Sequence, residues 1–429
     1  MNQTLLVIPH EWLGWPLQLA WWLLVAGLVG WTSRSEGLSK AVGLFAPFAI
    51  AISLLLYFVL PGVEVQGLNP DDPLGAKIPL GVAIRGYGVC LTLAIPAAVA
   101  LVFRRASQVG LDLDRMFTLC FFMVIVGILG ARVFYVAQKW DQFQFVNLQQ
   151  FLVSLVDVTK GGLVVYGSLF GAFLVLALAP RIWKLPVRLV LDVVAPAMLL
   201  GLAIGRIGCL MNGCCYGGEC PPEYPLGIRF PVEAPAYYDQ LRQGRLLGLR
   251  GDWDPDADYP LRVTEIDPEG YVVKKQLPIE VGERLNIVTP GTDFLVAIKT
   301  GEVDIPMMVL IQLEGSEEPL RVPVADLPNR SLAVHPAQIY AAISAALVCA
   351  VLWFAFPLRK FDGQLFAGLL LLYPLSRLLE EVIRSDESGI FGTPLTISQW
   401  VSVLLIFLGS GMWWWLSRRP VLTWRVPAA

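Results

Sequence analysis

Within thirteen residues, Gly205-Arg206-Ile207-Gly208-Cys209-Leu210-Met211-Asn212-Gly213-Cys214-Cys215-Tyr216-Gly217, the chain gathers an arginine, an asparagine, four glycines and three cysteines. The stretch follows directly on an apolar run, Leu189 to Ile204, long enough to cross a bilayer. Apolar packing does not ask for that composition. A guanidinium at membrane depth costs about 2.5 kcal/mol or more unless an anionic group meets it, so Arg206 is a functional-site candidate by position alone. The close glycines let backbone approach a ligand or a neighbouring helix.

The elements that must position this segment are membrane helices. Of the residues 56% are hydrophobic and only 16% charged, with 14 Trp, and the mean hydropathy is +0.62. A soluble domain carries roughly 45 to 50% apolar and 25% charged residues. Apolar runs of spanning length fall at Trp12 to Trp31, Ala41 to Leu60, Val82 to Phe103, Met116 to Ala137, Gly162 to Ala179, Leu189 to Leu210, Ile339 to Phe356, Leu365 to Ile383 and Ile397 to Leu416, about nine in all. The first run is expected to be a retained span, because Met1 to Pro9 carries no cation and no small-residue cleavage pattern precedes Arg34.

Cations set the expected orientation. Arg34, Lys40, Arg104, Arg105, Arg115, Arg181, Lys184, Arg188, Arg359, Lys360, Arg418, Arg419 and Arg425 all fall on alternate loops and the C-terminus, which assigns those loops to the cytoplasm. Tyr216 to Val334 is then extracytoplasmic. That region is too polar to be membrane, holding 20 Asp+Glu against 11 Lys+Arg for a net of −9, and it leaves +6 on the rest of the chain. Alternation at Tyr271 to Leu277 and Met307 to Leu313, with turn signals at Pro268-Glu269-Gly270 and Pro290-Gly291, predicts strands and a small, mainly β domain, with a PDZ-like form as one expectation. The fold class expected is an all-α polytopic membrane protein of about nine transmembrane helices with an inserted extracytoplasmic β domain.

Six pieces in order carry a resemblance. They are Ile84-Arg85-Gly86-Tyr87-Gly88; Gly130-Ala131-Arg132; Gly161-Gly162-Leu163 with Tyr166-Gly167-Ser168-Leu169; the Gly205 to Gly217 segment; His335-Pro336-Ala337-Gln338-Ile339-Tyr340; and Tyr373, Arg377, Glu381 and Arg384. Together they resemble the bacterial prolipoprotein diacylglyceryl transferases, whose signature reads G-R-x-G-N-x-x-N-G-E-x-x-G. The resemblance covers about Ile84 to Trp415. It implies the division 1–65 for two extra N-terminal helices, 79–215 and 335–420 for the two parts of the membrane core, and 216–334 for the acidic insertion. Three positions depart from the pattern: Tyr166 where the family has histidine, Cys209 where it has asparagine, and Cys214 where it has glutamate.

The activity implied is transfer of a diacylglyceryl group from phosphatidylglycerol to the lipobox cysteine thiol of a prolipoprotein, with release of glycerol phosphate. The implied partners are phosphatidylglycerol, a prolipoprotein signal peptide and membrane lipids, with no nucleic acid. The implied place is the bacterial inner (plasma) membrane with the active side extracytoplasmic. No cofactor, metal or nucleotide is implied. An alternative is a non-catalytic lipid- or lipoprotein-binding relative that kept the anion pocket.

That chemistry asks for cations at a phosphate and for help in forming a thiolate. Arginine donates two parallel hydrogen bonds to a phosphate and stays charged in low dielectric, which makes Arg206 and Arg377 the candidates; the bland alternative is pairing with Glu380 or Glu381. Tyr166 is read as a hydrogen-bond donor to the phosphate or an orienter of the thiol, since its unperturbed pKa near 10 makes it a poor base. Packing is its alternative. Tyr87, Asn212, Gly213, His335, Gln338 and Tyr373 complete the expected substrate-binding set, with His335 expected to close the start of the following helix. Helix-to-helix hydrogen bonding is the alternative for the polar four, Tyr87, Asn212, Gln338 and Tyr373.

The spacing of Cys209, Cys214, Cys215 and Cys220 does not match the paired C-x(2–4)-C of a structural zinc site, and a local disulfide involving Cys220 is expected instead, with plain thiols that pack as small apolar groups as the alternative. Cys90, Cys120 and Cys349 lie within spans and need only pack. Asp252, Asp254, Asp256 and Asp258 begin like a calcium loop, but Ala257 and Val263 stand where glycine and glutamate are required.

Overall fold

The computed structural model describes residues 4–9, 15–38, 65–69, 72–140, 162–255, 257–289, 308–316, 318–381 and 395–418, with a few single residues between them. The chain divides into two compact units. One comprises Met1–Gly86, Met211–Cys214 and Glu219–His335; the other comprises Tyr87–Leu210, Cys215–Gly218 and Pro336–Ala429.

Among the described residues six helices are long and apolar enough to cross a membrane: Gly86–Gln108, Leu113–Gln138, Val165–Ile182, Val187–Asn212, Ala337–Leu358 and Ile397–Ser417. Two other expected spans are helical, Trp15–Glu36 and Gln364–Glu381, but are not among the six. Of the expected span Ala41 to Leu60 only Ala49, Ile50 and Ser53 are among the described residues. The run from Val82 begins as strand and turns helical at Gly86, so Ile84 and Arg85 precede the helix.

In chain order we label the helices α1 (Trp15–Glu36), α2 (Gly86–Gln108), α3 (Leu113–Gln138), α4 (Val165–Ile182), α5 (Val187–Asn212), α6 (Pro235–Arg242), α7 (Tyr271–Lys274), α8 (Ala337–Ala355), α9 (Gln364–Glu381) and α10 (Ile397–Ser417). Helix α5 is the centre of the second unit. Of its spanning stretch 56% is buried, against 17 to 33% for the other five spans. Val190, Val193, Val194 and Ala197 of α5 share one core with Val102, Met116, Leu176, Leu352, Phe356 and Phe366 from five surrounding segments.

Glycine sets the closest approach. At the crossing of α3 and α4 a side chain on Gly130 would collide with the Gly167 carbonyl, one on Gly167 with the Gly130 carbonyl, and one on Gly171 with the Val126 carbonyl. Small residues at such a crossing are what bring two membrane helices together when hydrophobic burial offers no preference for protein over lipid.

The first unit holds two antiparallel sheets. Strands β1 (Thr4–Pro9), β2 (Val65–Asn69) and β3 (Asp72–Arg85) form one in the order β1-β3-β2. The other runs β4 (Leu249–Trp253), β5 (Leu261–Ile266), β6 (Arg284–Val288), β7 (Met308–Leu313) and β8 (Leu320–Pro323) in sequential order. The period-2 pattern of β7 buries Val309, Ile311 and Leu313, and Ile311 pairs with Ile287 and Leu313 with Leu285. Tyr237 and Leu241 of α6 close this core.

One expected strand is corrected. Tyr271 to Leu277 forms the single helical turn α7, not a strand. Its C-terminus is a Schellman cap: Gln276 sits at φ +53, its N–H bonds the Val273 carbonyl at 3.1 Å, and the Leu277 N–H bonds the Val272 carbonyl at 3.0 Å. Val272 is buried while Val273 is exposed, an arrangement that reads as alternation over so short a window. The turn expected at Pro290-Gly291 lies outside the described residues.

Candidate functional site

Helix α5 continues through Arg206 and Gly208 to Asn212 and there the backbone reverses. Gly213 sits at φ +73, and a Cβ there would lie 2.6 Å from the Ala234 Cβ, so glycine is required on two counts. Two residues on, Cys215 adopts φ +58, uncommon for a residue with a side chain. Earlier in the helix, a Cβ on Gly208 would stand 3.1 Å from both the Cys90 Cβ and the Tyr87 ring, which brings the start of α2 against the end of α5.

Arg206 is half-buried. Its guanidinium interacts electrostatically with Tyr373 and Glu380 of α9 and with Cys215 and Cys209. Among the described residues it makes no hydrogen bond and no ion pair within 4.0 Å. A forked donor is thus left with unfilled hydrogen-bond capacity beside a carboxylate, a phenol and two thiols.

Arg377 is differently placed. Its Nη2 lies 2.7 Å from Glu381 Oε2 and donates to Ser398 Oγ at 3.2 Å, and its Nη1 is 3.9 Å from Glu380 Oε2. Thr396 Oγ1 donates to Glu381 at 2.8 Å while capping α10, and Ser344 Oγ donates to Glu380. The pairing weighed from sequence as the bland alternative for Arg377 is therefore present. Glu380 is shared, standing in the electrostatic field of both arginines. Gln338 is buried on α8 of the same unit.

Tyr166 begins α4, which is fixed by the Val164 N–H bonding the Ala131 carbonyl at 3.1 Å. Its side chain is 45% exposed, and its hydroxyl makes no hydrogen bond among the described residues. Asn212, Gly213 and His335 belong to the first unit, whereas Tyr87, Tyr166, Arg206, Gln338, Tyr373 and Arg377 belong to the second. Arg384 lies outside the described residues.

Two expectations are corrected. His335 does not cap the following helix: Pro336 is the N-cap residue and no side chain bonds there, while the imidazole packs edge-on against Tyr224 at 4.8 Å with its Nδ1 buried and unbonded. Cys220 forms no disulfide. Its thiol is covered by the Gly227 backbone, where an added Cβ would come within 2.9 Å of Sγ, and burial pushes its pKa up, away from reactivity.

Sequence reasoning missed two charged centres. Asp192, fully buried in the apolar part of α5, accepts hydrogen bonds from the backbone N–H groups of Gly363 at 2.8 Å, Leu365 at 2.9 Å and Phe366 at 3.0 Å, and pairs with Arg359 at 3.7 Å. It caps α9 from another helix. Arg132 donates to three carbonyls, those of Ser154 at 2.7 Å, Leu155 at 2.8 Å and Gly162 at 3.1 Å. A carboxylate inside a spanning run was the available signal for Asp192.

Fold and site define an α-helical integral membrane protein built around a half-buried, unfilled arginine. Residues 75–415 match the family described as prolipoprotein diacylglyceryl transferase, and the chain belongs to that family. It is 36% identical over 441 residues to the phosphatidylglycerol–prolipoprotein diacylglyceryl transferase of Rhodopirellula baltica, covering 95% of this chain and 87% of the relative. The enzyme of the same name from Listeria innocua is 31% identical over 166 residues, 39% of this chain and 58% of the relative. One from Clostridium perfringens, numbered 2, is 34% identical over 154 residues, 36% and 57% respectively.

Proposed function

We propose that this chain transfers the diacylglyceryl group of phosphatidylglycerol to the lipobox cysteine of a prolipoprotein signal peptide. The thiol proton is released to solvent or to the departing phosphate, the sulfur attacks the glycerol carbon, the bond from that carbon to the phosphate oxygen breaks, and glycerol phosphate leaves with the electron pair. The observation that carries the reading is the unfilled guanidinium of Arg206 beside Tyr373 and Glu380, in a chain of this family.

Arg206 is assigned to the phosphate, where charge grows as the leaving group departs; one preorganised donor at such a place contributes about 2.7 to 4 kcal/mol. Arg377 is assigned as the second cation, acting on the pocket through the shared Glu380. Tyr166 is assigned as a hydrogen-bond donor, and Tyr87, Asn212, Gly213, His335, Gln338 and Tyr373 are assigned to substrate binding. The half exposure of Tyr166 suits a residue that meets its partner only when substrate is bound.

Our reading puts 216–334 and the active side outside the cytoplasm, in the inner membrane; the cation distribution supports the orientation. Nine spans complete the reading, the six apolar helices together with α1, the 41–60 segment and α9, divided as 1–65, 79–215 and 335–420 around a β insertion at 216–334. A periplasm-active reporter inserted at Gly315 tests the topology, and a cytoplasmic signal there overturns it.

The activity test uses purified protein, phosphatidylglycerol and a lipobox peptide. Lipidated peptide and released glycerol phosphate are expected in equal amounts. Retention of phosphatidylglycerol without any release contradicts the proposal and identifies a lipid binder.

A further inference from the structure

The two carboxylates of α9 are not used alike. Glu381 meets Arg377 at 2.7 Å and accepts from Thr396 at 2.8 Å, so it matches that cation directly. Glu380 approaches the same guanidinium more loosely, its Oε2 lying 3.9 Å away, while its Oε1 accepts from Ser344 Oγ of α8. Glu380 is buried, and the hydroxyl anchors it from a second helix. Among the groups that act on the charge of Arg206 it is the one carboxylate, yet it stands beyond ion-pair distance.

Counted formally, Arg206 and Arg377 supply two positive charges and Glu380 and Glu381 two negative ones, so these four side chains are neutral together before a ligand arrives. A phosphodiester carries one negative charge. A phosphomonoester carries close to two at pH 7, because its second pKa is about 6. Coulomb energy scales with the charge of the ligand, so a fixed carboxylate beside the phosphate position opposes the monoester about twice as strongly as the diester. In the transfer reaction the diester is the lipid that enters and the monoester is the glycerol phosphate that leaves. Arginines alone would hold that product more tightly than the substrate.

We propose that Glu380 sets the charge selectivity of the Arg206 pocket, admitting a phosphodiester of one negative charge and expelling the phosphomonoester of two. The inference rests on the assignment of Arg206 to the phosphate made above. Ser344 is a positioning residue: it holds the carboxylate where it acts on Arg206 without occupying the donors of that guanidinium. Selectivity is obtained while the two-pronged donor stays open to substrate.

The test measures equilibrium binding by isothermal titration to the full-length protein in detergent near neutral pH. The probes are glycerol phosphate and its methyl diester, which differ by one methyl group and one charge. Wild type should bind the diester more tightly. Glu380→Gln keeps an acceptor for Ser344 and removes the charge; both ligands should tighten, the diester by about tenfold and the monoester by about a hundredfold, so that the preference is lost. Glu380→Asp should retain the preference, and Ser344→Ala should narrow it by less than Glu380→Gln does. Asp114→Asn, at an exposed carboxylate on α3, should leave the ratio unchanged. An equal change for both ligands in folded Glu380→Gln, or no change, overturns the inference and leaves the transferase reading standing; so does a wild type that prefers the monoester. If Arg206→Ala leaves both affinities as they are, or if wild type binds neither probe, the phosphate assignment fails and the inference falls with it. If the charge preference appears as described while no glycerol phosphate is released from phosphatidylglycerol, the selectivity of the pocket stands and the transferase reading fails.

Discussion

Helix α5 carries a buried carboxylate near one end and a half-buried arginine near the other, and the two are satisfied very differently. Asp192 accepts three backbone hydrogen bonds and has Arg359 at 3.7 Å, so its capacity is filled from within the protein. Arg206 has electrostatic neighbours but no hydrogen bond among the described residues. A charge at membrane depth is costly in both places. The first is repaid by tying α9 to α5, whereas the second is repaid when something arrives. Arg132 and Arg377 belong with Asp192 by this measure, the one holding three carbonyls and the other two carboxylates. Membrane charge is thus not by itself the mark of a group that meets substrate directly; unfilled capacity is, and Arg377 acts on the pocket only through Glu380.

The sharpest way to break this comparison is to empty the filled end. Asp192→Ala leaves three buried N–H groups and Arg359 without their acceptor. Removing one partner of a buried pair costs about 3 to 5 kcal/mol, so unfolding in detergent should move to markedly lower temperature while each folded molecule keeps its transfer rate. Wild-type stability would contradict the assignment of Asp192 as a lock.

A smaller effect is expected at Tyr166. If its hydroxyl only donates one hydrogen bond to bound substrate, Tyr166→Phe slows transfer by a factor corresponding to about 0.5 to 3 kcal/mol and leaves the pH dependence to the thiol. Near-complete loss in Tyr166→Phe, with full activity in Tyr166→His, would make this position the base.

The smallest effect lies in the sheet-bearing unit and concerns pH. Burial pushes Tyr237 up to about 12, where its hydroxyl donates to the Pro328 carbonyl at 2.7 Å. Burial and the hydrogen bond to Asp326 at 3.0 Å push Tyr271 up to about 12 as well. Both folded values lie above the unfolded value near 10, so the stability they confer is fully present below pH of about 10 and is lost as pH rises through about 12. An alkaline titration followed by circular dichroism should show this loss, and Tyr237→Phe should make it shallower. Identical curves for the variant would remove Tyr237 from the account.

The long apolar runs were legible because spanning length and composition suffice for them: Leu189 to Leu210 is realised as Val187–Asn212 and Met116 to Ala137 as Leu113–Gln138. The strand Met307 to Leu313 was read to within one residue, since one face is buried and period 2 is unambiguous there. Arg206 stood out by its depth. What escaped was long-range or conformational. The backbone donors that fill Asp192 come from residues more than 170 positions away. The reversal after α5 depends on left-handed backbone at Gly213 and Cys215, which residue spacing does not encode. The turn at Tyr271 depends on a cap at Gln276 that alternation conceals.

The most direct test compares glycerol phosphate release from phosphatidylglycerol by wild type, Arg206→Ala and Arg206→Lys at equal folded amounts. Lysine keeps the charge but loses the two-pronged donor geometry. The account predicts that Arg206→Lys loses most of the turnover and Arg206→Ala nearly all of it, with both proteins folded. Unchanged turnover in folded Arg206→Ala would contradict it.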